Sequence, residues 1–161
     1  MTKHLLADFI SILTFCFGAL DAYAQTSNSG LPMDRVDQGR IQLPDFAGRD
    51  HQYSTFRTRI TNEMKTGPNF AGHYAMIEIG CGTGCRFVYI GDVATGKVSQ
   101  LPLGGEEYDM LNLSYGVKSN YISARWMSGD DCYRENLEWT GTQFLSSGKD
   151  RFSTRSECQK F

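Results

Sequence analysis

Tyr74-Ala75-Met76-Ile77-Glu78-Ile79-Gly80-Cys81-Gly82-Thr83-Gly84-Cys85-Arg86-Phe87-Val88-Tyr89-Ile90 is the stretch that decides the fold. Residues 74–79 and 87–90 are mostly apolar, and the short loop between them is rich in glycine. Two such runs predict a hairpin with largely buried strands. The period of two then persists. Ala94-Thr95-Gly96-Lys97 predicts a turn in which Gly96 supplies positive φ, followed by a strand over 98–103. Past a Gly104-Gly105-Glu106-Glu107 loop, Leu111, Leu113 and Tyr115 alternate with polar neighbours. Residues 116–120 turn, Ile122, Ala124 and Trp126 share a face, and residues 128–131 turn again. Tyr133, Leu137 and Trp139 then take one side and Arg134, Asn136 and Glu138 the other, the half-buried pattern of an antiparallel sheet. Thr140-Gly141-Thr142-Gln143 leads into Phe144-Leu145, which makes six or seven strands in meander order.

Upstream, residues 50–65 predict a helix. Tyr53, Phe56, Ile60 and Met64 fall at i, i+3, i+7 and i+11, one stripe of a 3.6-residue period. Asp50 is placed to cap its start, and Gly67-Pro68 to stop it. Residues 56–60 also alternate like a strand, but the end signals favour the helix. Residues 25–45 begin with the small polar run Gln25-Thr26-Ser27-Asn28-Ser29-Gly30 and show no period, which reads as a flexible or surface-draped arm. The expected fold is α+β over 46–161: one N-terminal amphipathic helix on a single curved antiparallel meander.

Residues 1–24 decide the compartment. Lys3 and His4 precede an apolar run from Leu5 to Leu20 that holds only Asp8 as a charge, and Ala22-Tyr23-Ala24 follows it. That order is the layout of a secretory signal peptide cleaved between Ala24 and Gln25. The run is too short for a membrane anchor, and Phe15 stands before Cys16 where a lipoprotein signal wants a small residue. Without residues 1–24, 15 basic and 16 acidic side chains remain on 137 residues. This balance supplies neither the basic face of a nucleic-acid binder nor a polybasic membrane patch. The length suits one domain. Cys81, Cys85, Cys132 and Cys158 remain, an even number for an oxidising compartment, and read as two disulfides. Of three pairings, Cys81–Cys85 closes most easily, leaving Cys132–Cys158.

Several segments together carry a resemblance. They are Phe56-Arg57-Thr58-Arg59-Ile60, Gly67-Pro68-Asn69-Phe70-Ala71-Gly72-His73-Tyr74, Gly80-Cys81-Gly82-Thr83-Gly84-Cys85, and Asp92 through Thr95-Gly96-Lys97-Val98. The chain resembles a family of small exported bacterial proteins over residues 45–100, and more weakly at Trp139 and Gly141. It departs at Ile79, where Trp often precedes the glycine. The resemblance implies export from a bacterium and brings no activity with it.

The Gly80–Cys85 loop is the chemically busiest spot. A redox dithiol usually has two intervening residues and sits at a helix start. Here three residues separate the cysteines, between strands. A Cys81 nucleophile with His73 as base is a second reading, and a phosphate cradle a third, although a cradle wants a strand-to-helix turn and a Lys. A disulfide-clamped tight loop is favoured over all three. His51 and His73 carry no metal spacing, and His73 reads as structural beside Asn69, which with Gly72 shapes the turn. Asn69, His73 and Thr83 are nevertheless the candidate binding residues. Glu106, Glu107, Asp109, Asp130 and Asp131 could in principle pair for glycan hydrolysis, but solvated loop charge is the simpler reading, and they lack the alternation of a calcium loop. Tyr115, Tyr121, Trp126, Tyr133 and Trp139 suit a core better than a binding face. No metal and no cofactor are expected.

The functional expectation is a non-catalytic periplasmic or secreted binding protein, inhibitor- or immunity-like, acting on a cell-envelope enzyme or toxin. Its rivals are a small periplasmic hydrolase or thiol enzyme using Cys81 with His73, and a structural envelope component. The expected partner is a periplasmic or envelope protein, with no nucleic acid and no membrane after signal cleavage.

Overall fold

The computed structural model of the protein describes residues 36–158, so the signal peptide and residues 25–35 of the arm lie outside the described residues. Most of the described chain is antiparallel sheet. Strands β1 (Tyr74–Gly80), β2 (Arg86–Asp92) and β3 (Val98–Gln100) form a three-stranded sheet in that order. The hairpin is in register from Tyr74 opposite Asp92 to Gly80 opposite Arg86. Strands β4 (Asp109–Ser114), β5 (Tyr121–Ser128), β6 (Asp131–Trp139) and β7 (Phe144–Ser146) form a second sheet, and β8 (Asp150–Thr154) also pairs with β6. β7 takes positions 137–139 of β6 and β8 takes 131–134, so the two lie end to end along one edge.

The single meander of six or seven strands is therefore corrected to two sheets and eight strands. The strand expected over 98–103 stops at Gln100. Pro102 has no N–H to continue a ladder, and Gly104 and Gly105 adopt positive φ (152° and 85°). The chain there leaves the first sheet and starts the second, with Leu101 and Leu103 buried on the way.

Three layers result. Met76, Val88 and Ile90 of the first sheet pack with Leu111, Ile122, Ala124, Trp126 and Leu137 of the second. Ala75, Ile77, Ile79 and Tyr89 on the opposite face pack with Ile60 and Met64. Both faces of β1 are covered, which is why its sequence is apolar without alternation. The helical segment supplies the third layer. It starts as a 3-10 turn over His51–Phe56 and continues as α1 (Arg57–Lys65). Full burial of Ile60 and Met64 contributes about 1.5–3 kcal/mol each. A Cβ at Gly91 would run into the Met64 side chain, so the glycine allows this close approach. Gly67, at φ 94°, ends the helix as its position suggests.

Asp50 does not cap the helix, which starts without a side-chain cap. Its carboxylate is buried and accepts from Val98 N (3.1 Å), Asp45 N (3.1 Å) and the Arg49 guanidinium (2.9 Å). It thus ties the helix start to β3. Part of the arm is draped along the first sheet: Asp37 N donates to Gly72 O and Gln42 N to Val93 O, each at 2.8 Å. Among the described residues, no helix is long and apolar enough to cross a membrane.

Candidate functional site

The closed end of the β1–β2 hairpin and the start of β4 form one construction. Cys81 and Cys85 are disulfide-bonded, with Cα atoms 5.1 Å apart, and Cys81 N donates to Cys85 O at 3.0 Å. Gly84 sits at φ 75°, and a Cβ there would collide with Asp109 Oδ1, so the position demands glycine twice over. The Gly84 carbonyl accepts the Met110 N–H at 2.8 Å. Met110 is itself left-handed, φ 54°, within a register shift between Asp109 and Asn112. A left-handed conformation costs an L-residue about 1–2 kcal/mol. Bulges of this kind re-aim side chains, and here Met110 is 55 % exposed.

The C-terminal segment braces the same end. Arg155, the first residue of α2 (Arg155–Cys158), donates to Asp109 Oδ2 at 2.8 Å and to Gly129 O at 3.0 Å. Three residues on, Cys158 is disulfide-bonded to Cys132 of β6, with Cα atoms 5.9 Å apart. Both disulfides thus act on one end of the molecule.

A cavity of about 280 Å³ opens there, beside Met110. Buried Leu111, Trp126 and Met127 give it apolar surface, and Phe152 and Met110 extend that surface outward. Arg86 and Arg125 bring positive charge to it, with Asn112 as a further polar group. Arg86 is ion-paired with Glu78. Arg125 stands opposite Arg134 in the β5–β6 register, and both guanidinium carbons lie near the Phe152 ring, 5.9 and 5.8 Å from its centroid. Like charges directly opposite each other are unfavourable. The shared ring and the Arg134–Asp150 ion pair (2.8 Å) offset that cost. Burial, then the neighbouring Glu78 carboxylate, pushes the Tyr115 hydroxyl above its ordinary range.

The residues proposed from sequence fall in two places. Thr83 is exposed and lines a smaller hollow of about 210 Å³ with Glu106 and Asp109. Asn69 and His73 lie at the other end of β1. Asn69 Oδ1 accepts from Met76 N at 2.7 Å, standing in for a strand neighbour on the β1 edge. The His73 ring packs on Tyr74 at 4.2 Å, with Nε2 3.9 Å from Asp92 Oδ1. The seven residues of β1 separate His73 from Cys81, a span of over about 20 Å at strand rise. The structure does not bring that pair together, and the Cys81 sulfur is bonded to Cys85. Asp109 and Asp131 are ion-paired with Arg155 and Arg151. Among the described residues, no group of three or more His, Cys, Asp and Glu could hold a metal ion.

Sequence reasoning missed Met110, Arg86, Arg125 and Phe152. Only the period break at Asp109-Met110 hinted at the bulge, and nothing local joins these residues into one site. No protein-family model, curated protein or solved structure matches the chain.

Proposed function

We propose that this is an exported bacterial binding protein that docks on a cell-envelope protein in an inhibitor- or immunity-like manner, with no reaction of its own. The carrying observation is Met110, a large apolar side chain held out to solvent on a left-handed backbone. A strained, exposed and well-braced hydrophobe suits an interface anchor, because the ordering cost of binding is already met in the free protein. Its thioether side chain adapts to an irregular partner surface.

The test compares the chain from Gln25 onward with its Met110→Asp variant as bait for envelope extracts. The wild type is expected to retain one envelope protein in stoichiometric amount. The variant, with an unchanged melting temperature, is expected to lose it. Retention of nothing above background, or equal retention by both baits, contradicts the reading.

A further inference from the structure

We infer that Met110 is a modification site, where a hydroperoxide converts the thioether to a sulfoxide and thereby releases the docked partner. The release rests on the docking role proposed for Met110; the choice of sulfur does not. Of the methionines in the described residues, Met64 is fully buried and Met76 and Met127 are 3 % exposed, whereas Met110 is 55 % exposed. Oxidation follows exposure, so the outer thioether reacts first. All four described cysteines are disulfide-bonded, and among the described residues no thiol competes for the oxidant. The Met110 sulfur rests against the hairpin loop at Gly84, 3.3 Å from where a Cβ would stand, and glycine has no side chain to shield it.

The step needs only the hydroperoxide. A sulfur lone pair attacks one peroxide oxygen, an S–O bond forms as the O–O bond breaks, and a proton transfer lets water or an alcohol leave. Sulfur gives up two electrons and the hydroperoxide takes them. The product is a polar, chiral side chain in place of a flexible apolar one. Its place is fixed, because the Met110 N–H donates to the Gly84 carbonyl at 2.8 Å and the left-handed backbone, φ 54°, sits in the register shift of β4. The sulfoxide oxygen is therefore presented where the thioether docked, and burying it there without a hydrogen-bond donor is unfavourable. A dithiol-dependent reductase reverses the change: the oxygen leaves as water and the dithiol becomes a disulfide.

The probe is dilute hydrogen peroxide, added to the disulfide-intact wild type and followed over time by peptide mass spectrometry. Sulfoxide is expected at Met110 at least about tenfold faster than at Met64, Met76 and Met127. Equal rates overturn the assignment. Protein oxidised at half of its Met110 is then mixed in excess with envelope extract, and the complex is separated from the free chain. Met110 sulfoxide is expected to be at least about tenfold scarcer in the complex than in the free chain. Met33 lies outside the described residues, and its sulfoxide in the same digests is the internal comparison. Equal Met110 sulfoxide in complex and free chain, or depletion at Met33 instead, overturns the release while docking stands. If the untreated chain captures nothing, docking and release fall together, and the rate comparison still decides the modification site.

Discussion

Replacing Asp50 by Ala removes one acceptor from three donors: the amides of Asp45 and Val98 and the Arg49 guanidinium. Stranding buried donors costs about 1–3 kcal/mol, and more where charge is involved. Asp50→Ala is therefore expected to lower unfolding free energy by about 2–4 kcal/mol in a urea titration. A loss below about 0.5 kcal/mol, the level of a neutral surface change, would contradict the role given to it. Burial alone would raise the Asp50 carboxyl, but the Arg49 guanidinium, then the Val98 and Asp45 amides, hold it below its ordinary value of 3.8. Its folded value is thus below its unfolded one. The stabilisation is complete above about pH 4 and is lost as pH falls through the lower folded value. Wild type should lose stability across that acid window more steeply than Asp50→Ala, and parallel pH curves would refute the linkage. At Met110 the expectation is the opposite in sign. Met110→Gly should leave stability unchanged or raise it by up to about 1 kcal/mol, because glycine accepts the left-handed backbone. The same variant should lose partner retention. A clear loss of stability would show that Met110 serves packing instead.

At the scale of elements, the two disulfides divide their work by loop length. Cys81–Cys85 spans a sequence separation of 4 and Cys132–Cys158 one of 26. Chain-entropy arithmetic gives about 2 and about 3.5 kcal/mol for them. Urea midpoints should therefore fall further for the Cys132→Ala, Cys158→Ala double variant than for the Cys81→Ala, Cys85→Ala one, and the reverse order would contradict the staple at the C-terminal end. The hairpin, the helix stripe and the Cys81–Cys85 pairing were legible because their signals are local: glycine at a tight loop, a 3.6-residue period, two cysteines separated by 4 in sequence, which left Cys132 to Cys158 by elimination. β8 was not. Asp150-Arg151-Phe152-Ser153-Thr154 has one apolar residue, and it is a strand because β6 offers it a free edge. Asp50 was misplaced for the same reason, since an acid before a helix suggests a cap while Val98, its partner, lies 48 residues away. The candidate site was least legible of all, because Arg86, Met110, Arg125 and Phe152 come from β2, β4, β5 and β8 and meet only once two sheets are stacked.

For the whole molecule, a helix, a three-stranded sheet and a five-stranded sheet share two cores, and both crosslinks brace the end that carries Met110 and the cavity. The proposed binding role depends on that end being rigid, and its rigidity depends on oxidation of the kind that export would provide. Mass-spectrometric mapping of the chain recovered from the bacterial envelope, alkylated before digestion without reduction, tests this most directly. The account predicts an N-terminus at Gln25, no alkylated cysteine, and crosslinked peptides joining Cys81 to Cys85 and Cys132 to Cys158. Alkylation of Cys81 and Cys85, or a crosslink exchanging partners between the two pairs, would contradict it.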